Sequence, residues 1–325
     1  MSISKNREES MEVIERLRKN KVSMAIFCTA SHWNTEAILK AADDYAKEHG
    51  IKDIPVAIAI TFNYRHMSQA KRVTYSQSAE TGFLAVMDYI KRLCDDEYAP
   101  YKNVKVLPHL DHADPESDRW ALSEGTGYLS SVMFDAQRYS KEENIALTKE
   151  YVKKYSDKIL IEGIMDELSV LGKLQNHTGD DYAKRAGEYV EKTGIDFLVA
   201  DLGTEQQSTG VGKAQFLHRR ALDLTDALGK SMLVLHGTSC LDDQQISELP
   251  DCGIIRVNMW TRIARETGIY AAEQLESRHE RIVSGDFEST ESKAYLNDSI
   301  EKASDIMKKT FGLLQYDRLG KKEQQ

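Results

Sequence analysis

The chain has 325 residues, 41% of them hydrophobic, with 43 Lys and Arg against 52 Asp and Glu and a formal net charge of −9. This acidic balance disfavours nucleic acid and anionic membranes as partners, because phosphate binding needs a basic face. The longest apolar run, 54–60, is far shorter than the roughly 18 residues that a membrane span requires.

The N-terminal segment and the cysteines indicate the compartment. Residues 1–20 are polar and charged, which excludes the apolar core of a secretory signal. The four cysteines have no metal-like CxxC spacing and form no dense disulfide framework: Cys28, Cys94, Cys240 and Cys252. We therefore predict a cytoplasmic globular protein with reduced thiols.

Eight short apolar segments alternate with longer amphipathic segments. The predicted strands are 22–28, 55–61, 104–110, 128–134, 158–164, 195–202, 231–236 and 253–258. The predicted helices include 35–48, 79–93, 141–154, 182–192 and 215–228, and Ser140 with Glu143 has the spacing of a capping box. Such alternation predicts parallel strands joined by crossover helices.

Eight strand–helix units predict a closed (β/α)8 barrel, also called a TIM barrel. The alternative is a doubly wound open sheet, which usually has a glycine-rich turn after its first strand. Residues 28–32 contain no glycine, so the barrel is favoured. We predict one α/β domain over 1–325, with the barrel at about 22–281, including a helix at 262–281, a C-terminal helical extension at about 292–311, and a tail at 312–325.

Polar side chains follow five consecutive predicted strands, at the barrel end where catalytic groups lie. A single His or Asp at such a position is more often a structural residue or a helix cap. Together they predict a site, because imidazole and carboxylate are the ligands that zinc takes. These residues are His109, Asp111, His112, Asp135, Glu162, Asp166, Asp201, Glu205 and His236.

The segment His-Gly-Thr-Ser at 236–239 has a second interpretation. A glycine permits close backbone approach, and exposed amides with hydroxyls form an anion cradle. Late barrel loops often bind phosphate. A plain turn explains the pattern equally well.

Several motifs occur in the order of the predicted strands. They are HLDH at 109–112, SVMFD at 131–135, EENI at 142–145 with Thr148, TGIDFLVA at 193–200, LGT at 202–204, LVLHGTS at 233–239 and GIIRVN at 253–258. With these motifs the chain resembles the class II, metal-dependent fructose-bisphosphate aldolase family. The resemblance implies reversible aldol cleavage of a ketose, a lyase reaction through a metal-stabilised enediolate, with zinc or another divalent metal as cofactor.

The resemblance also implies residue roles. Asp111 would be the acid/base that handles the carbinol proton. His112 and His236 would be zinc ligands, with Asp135 and Glu162 in the carboxylate-lined part of the metal site. The substrate and phosphate residues would be Gly203, Gly237, Ser239, Asn258 and Thr261.

The sequence departs from the family pattern around the metal and substrate. After Gly203-Thr204, Gln206 or Glu205 stands where the family has its middle histidine ligand, and an amide is a weaker zinc ligand than imidazole. Ile164 replaces a second acid, and Arg262 adds charge beside Thr261. We therefore expect a phosphorylated sugar other than fructose 1,6-bisphosphate as substrate.

Two other functions fit the same residues. One is a metal-dependent epimerase or isomerase of a sugar or sugar acid, with Glu162 and Asp166 as bases. The other is a non-catalytic sugar-binding subunit. The resemblance further implies a homodimer or larger homo-oligomer, with 262–311 as the candidate interface.

Two further candidates lie near the predicted site. Arg65 or His66 could reach the substrate from the end of the second strand, but a loop salt bridge is the more common arrangement. Cys240 is expected to be unreactive, because no neighbouring base is visible in the sequence.

Overall fold

The computed structural model describes residues 2–4, 6–168, 181–206, 216–286, 288 and 297–320. Eight parallel strands form a closed barrel in sequence order, which confirms the predicted (β/α)8 fold and excludes the open sheet. The strands are β1 (Met24–Cys28), β2 (Ile54–Thr61), β3 (Val104–Ala113), β4 (Ser131–Phe134), β5 (Leu160–Ile164), β6 (Phe197–Val199), β7 (Leu233–Leu235) and β8 (Ile254–Met259).

Helices follow the strands on the outside of the barrel. In the described ranges they are α1 (Arg7–Asn20), α2 (His32–His49), α3 (Ala70–Val73), α4 (Ala79–Cys94), α5 (Lys141–Tyr155), α6 (Tyr182–Thr193), α7 (His218–Leu228), α8 (Asp243–Glu248), α9 (Thr261–Ser277), α10 (His279–Val283) and α11 (Asp298–Leu313). The capping box of Ser140 and Glu143 is present at the start of α5. None of the helices described is long and apolar enough to cross a membrane.

Most strand residues are apolar because both faces of the sheet are covered. Every residue of β1, β2 and β8 is buried, as expected for parallel strands packed between helices and the barrel interior. The register pairs Ile26 with Ala57 on one side and with Asn258 on the other. The closed sheet thereby brings the last residues of β1, β2 and β8 together at one rim.

Helix α1 is an element that the sequence analysis did not predict. Asn6 caps it, and Ile14 and Leu17 are buried against the barrel. Arg7 forms an ion pair with Asp196, which precedes β6. The segment 7–20 is therefore packed structure, although its composition is mostly polar.

The observed bounds of several elements differ from the predictions. Strand β3 continues to Ala113 instead of ending at Leu110, whereas β6 and β7 are shorter than predicted. The predicted helix 262–281 is divided at Arg278 into α9 and α10. The last helix begins at Asp298 within the described range, and residues 292–296 of its predicted span lie outside the described residues.

Candidate metal centre and active site

An irregularity near the end of β3 directs two polar side chains into one cleft. The pairing of β3 with β4 shifts between Leu110 and Ala113, and His112 has a φ of 48°. A non-glycine residue in this left-handed region carries about 1–3 kcal/mol of strain and persists only where contacts hold it. Consecutive residues of a regular strand face opposite sides, but here Asp111 and His112 both line the cleft.

Asp111, His112 and His236 form a buried group at the carboxyl ends of β3 and β7. One ligand atom of each residue lies within 4.8 Å of those of the other two. Among the described residues, Asp111 Oδ1 and His236 Nε2 have no hydrogen-bond partner although they are buried. Burial lowers the pKa of His236 to about 4, so its imidazole is neutral near pH 7. Two imidazoles and a carboxylate form a donor set that fits zinc or a similar divalent ion.

His112 is oriented by a carboxylate behind it. Its Nδ1 lies 2.8 Å from Asp135 Oδ2, which leaves Nε2 as the nitrogen available to a metal. Burial lowers the pKa of His112, but the charges of Asp111 and Asp135 outweigh burial, and the net shift is upward. Asp135 thus contacts the site through His112. Its predicted role as a direct ligand stays a prediction.

Glu162 lies deeper in the barrel than the Asp-His-His group, two residues before the end of β5. Its Oε1 lies 2.6 Å from Arg256 Nη1, and its Oε2 lies 3.7 Å from His109 Nε2. Arg256 and His109 also contact Ser131 Oγ, at 3.1 and 2.9 Å. The contacts of Glu162 are therefore with an interior polar network, and metal ligation by Glu162 stays a prediction.

Gln206, in the loop that follows β6, lines the same cleft as the Asp-His-His group. Its Oε1 lies 3.4 Å from the hydroxyl of Tyr64. Of the two predicted alternatives, the structure brings Gln206 into the cleft, whereas the backbone of Glu205 packs against Gly237. The ligand role of Gln206 itself stays a prediction.

The ends of β7 and β8 add hydroxyl and amide groups to the cleft. Among the described residues, Ser239 Oγ and Asn258 Nδ2 are buried without a hydrogen-bond partner. Thr261 is the first residue of α9, where backbone amides have no partner within the helix. All three line the cleft together with Gly237. This combination of amides and hydroxyls suits an anionic or hydroxylated ligand.

Two glycines of the predicted substrate site differ in their surroundings. Gly237 has a φ of 74°, and a Cβ there would lie 2.9 Å from the carbonyl carbon of Glu205, so the loop requires glycine. Gly203 donates its amide to Asp201 Oδ1 at 3.0 Å and lies outside the residues that line the cleft. A phosphate contact by Gly203 stays a prediction.

Cys28 is a cleft residue that the sequence analysis treated only as a reduced thiol. Its Sγ lies 3.2 Å from Asn258 Oδ1 and 3.8 Å from Asp111 Oδ2. Cys28 ends β1. Its position at the carboxyl end of a barrel strand, which it shares with the other candidates, could have identified it from the sequence.

The remaining candidates lie outside this group. Arg65 is 3.9 Å from Glu167 on an exposed loop, in the ion-pair arrangement considered above. Arg262 pairs with Glu266 and Asp243 and does not line the cleft, so the charge expected beside Thr261 is directed elsewhere. Burial raises the pKa of Cys240, which agrees with its expected low reactivity.

Comparison with known proteins identifies the family. A family model described as fructose-bisphosphate aldolase class-II matches residues 8–317. The chain belongs to the class II fructose-bisphosphate aldolase family. This result confirms the resemblance seen in the sequence motifs.

The relatives within the family are distant. A fructose-bisphosphate aldolase of Streptococcus pneumoniae is 28% identical over 254 residues, covering 76% of each chain. One from Giardia intestinalis is 32% identical over 163 residues, 47% of this chain and 48% of the relative, so this match spans about half of that relative's length.

Solved structures share the fold. The fructose-bisphosphate aldolase of Campylobacter jejuni gives a TM-score of 0.74 at 15% identity, covering 96% of this chain and 95% of that chain. The YdjI aldolase of Escherichia coli K12 gives 0.64 at 21% identity, covering 97% and 98%. Membership of the class II aldolase family supports an aldolase-type lyase function. The family is generally metal-dependent.

Proposed function

We propose that this protein is a metal-dependent aldolase that reversibly cleaves a carbon–carbon bond of a ketose, with a phosphorylated sugar other than fructose 1,6-bisphosphate as substrate. One observation carries the proposal. Asp111 presents a buried, unpartnered carboxylate oxygen beside two histidines in a single cleft. A general acid/base next to a cation site is the combination that aldol cleavage requires.

His112 and His236 would hold the metal, with Gln206 as a third ligand from the loop that follows β6. The fit rests on the buried, unpartnered Nε2 of His236 and on the Asp135 contact that leaves Nε2 of His112 available. A bound divalent ion supplies Lewis-acid chemistry, stabilising the negative charge that develops on the ketose oxygens when the bond breaks.

Asp111 is assigned the proton transfer. In the cleavage direction, the carboxylate of Asp111 takes the proton of the hydroxyl group on the carbon that becomes the aldehyde. The carbon–carbon bond breaks as this proton leaves. In the synthesis direction the carboxyl group returns that proton. A positioned acid/base of this kind contributes about 10²–10⁴-fold to the rate.

The β7–β8 side of the cleft is assigned to substrate binding. Asn258 Nδ2, which has no partner within the described residues, would donate to a ketose hydroxyl. Ser239 and Thr261, beside Gly237 and at the N-terminus of α9, would bind a phosphate group. The homo-oligomeric state and the cytoplasmic location stay predictions.

The contacts of the two acids favour cleavage over epimerisation. An epimerase would need bases at the carbon skeleton, for which Glu162 and Asp166 were the candidates. Glu162 is completely buried against Arg256, and Asp166 lies 3.6 Å from Arg185. Both carboxylates therefore face arginines and neither lines the cleft, whereas Asp111 lines it.

The first test is metal content by elemental mass spectrometry on protein purified without chelators, with His236→Ala as the control. We expect about one divalent ion per chain in the unmodified protein and none in the variant. Absence of metal from both samples, even after incubation with zinc or manganese, would contradict the proposal. It would favour a sugar-binding subunit instead.

The second test is product analysis on a panel of ketose phosphates. Cleavage gives two smaller fragments, and epimerisation gives one product of unchanged mass. The Asp111→Asn variant serves as the control for contaminating aldolase activity. Formation of an isomer without fragments would exclude the cleavage reaction.

A further inference from the structure

Tyr64 contacts two of the residues assigned to the metal, although it is not itself a ligand of the usual kind. It follows β2, and its ring lies parallel to that of His112, with centroids 4.3 Å apart and an interplanar angle of 7°. Its hydroxyl lies 3.4 Å from Gln206 Oε1. One side chain thus connects the end of β3 with the loop that follows β6.

The stacking contact acts on a strained residue. His112 has a φ of 48° and persists in this conformation because neighbouring groups hold its side chain. Asp135 fixes the ring at Nδ1, and Tyr64 covers one ring face. The ring of His66 contacts Tyr64 in turn, with centroids 5.2 Å apart. The imidazole plane of His112 is therefore restricted by two independent contacts.

The hydroxyl of Tyr64 contacts Gln206, whose side chain is flexible. A glutamine side chain has three rotatable bonds before its amide, and an amide oxygen is a weak metal ligand unless it is oriented in advance. The hydroxyl of Tyr64 donates a hydrogen bond to Gln206 Oε1. This bond directs the amide oxygen, which has a second lone pair, toward the cleft.

We propose that Tyr64 is a positioning residue for the metal centre, which holds Gln206 through its hydroxyl and His112 through its ring. The proposal rests on the proposed function, because it requires that His112 and Gln206 bind a metal. Two variants separate the contribution of the Tyr64 hydroxyl from that of its ring. Tyr64→Phe removes the hydroxyl and keeps the stacked ring, whereas Tyr64→Leu removes both.

Metal affinity measured by competition with a chromophoric chelator tests the proposal, with Co²⁺ and Zn²⁺ as probes. Loss of one hydrogen bond, about 1 kcal/mol, predicts about fivefold weaker binding by Tyr64→Phe. Loss of both contacts predicts about 10–100-fold weaker binding by Tyr64→Leu. Tyr75→Phe is the matched control, because Tyr75 is fully exposed, and its affinity should equal that of the unmodified protein.

A double-mutant cycle with Gln206→Ala tests whether the hydroxyl acts through Gln206. In the Gln206→Ala background, Tyr64→Phe should change the metal affinity by less than about twofold. If Tyr64→Phe lowered the metal affinity equally in the unmodified protein and in Gln206→Ala, or in neither, the proposal would be overturned. The proposed function would remain intact. Absence of any metal binding that depends on His236 would contradict the proposed function and this proposal together.

The stacked geometry has a readout that needs no metal. In the metal-free protein, the ring current of Tyr64 should shift the ring protons of His112 upfield in a ¹H–¹³C spectrum. The shift should remain in Tyr64→Phe and disappear in Tyr64→Leu. Unchanged His112 resonances in Tyr64→Leu would overturn the positioning role for the histidine.

Discussion

Arg256 and Glu162 form an ion pair inside the barrel, with 2.6 Å between Arg256 Nη1 and Glu162 Oε1, and both side chains are 0% exposed. The guanidinium also lies over the ring of Phe197, 5.1 Å from its centroid. Burial raises the pKa of Glu162, and the charge of Arg256 opposes that shift. Each charge therefore depends on its partner, since neither has access to water.

Removing one partner of this pair should destabilise the fold strongly. We expect Arg256→Met or Glu162→Leu alone to lower the free energy of unfolding by about 3–5 kcal/mol, and the double variant to lose much less than the sum. Urea denaturation measures these values. The exposed pair of Arg219 and Asp223 is the control, and Arg219→Ala should cost at most about 1 kcal/mol. If either single variant lowered the free energy of unfolding by less than the control variant does, an electrostatic role for the buried pair would be contradicted.

Asp111→Asn should abolish turnover and leave metal binding in place. The amide has nearly the shape of the carboxylate but cannot accept the hydroxyl proton, so kcat should fall at least about 10²-fold. His236→Ala should instead lose the metal. Steady-state kinetics and elemental analysis on both variants separate the two roles. Loss of metal from Asp111→Asn, in proportion to its loss of activity, would make Asp111 a ligand instead.

Much of the fold and part of the site could be predicted from the sequence. Apolar runs indicated all eight strands, because strands buried on both faces need apolar residues throughout. Helix α1 was missed because Ile14 and Leu17 stand among charged residues, and their burial depends on the barrel they cover. The end of β3 was placed too early, because an aspartate such as Asp111 is typical of a loop. Its pairing with Thr61 places it in the strand.

The contacts around the metal ligands could not be predicted in the same way. Strand ends identified Asp111, His112 and His236, since the barrel topology alone brings such residues to one rim. The stacking of Tyr64 on His112 depends on the path of a loop, and a tyrosine there has no periodic pattern. The Arg256–Glu162 pair connects strands far apart in sequence, and no local spacing indicates it.

Metal affinity should fall at low pH because of His112. The carboxylates of Asp111 and Asp135 raise its pKa, although burial opposes them, so below that pKa a metal must displace one proton. The apparent affinity should then decrease about tenfold per pH unit. His236, with a pKa of about 4, should add no second proton above about pH 5.

Calorimetry in buffers of different ionisation enthalpy measures the protons released by this binding. Asp135→Asn should lower the pKa of His112, because it removes one of the charges that raise it. The pH at which affinity stops increasing should therefore move downward. A shift upward, or release of two protons per metal near pH 6, would contradict the assignment to His112.

Cys28 should orient the amide of Asn258. Its thiol donates to Asn258 Oδ1 at 3.2 Å, which turns the unpartnered Nδ2 toward the cleft. Cys28→Ala removes that donor, and a lost bond of about 1 kcal/mol predicts about a fivefold higher KM for the ketose. Cys28→Ser keeps a donor and should stay close to the unmodified protein, with metal affinity unchanged in both variants. Equal KM values for the two variants would show that the thiol fills space and does not orient Asn258.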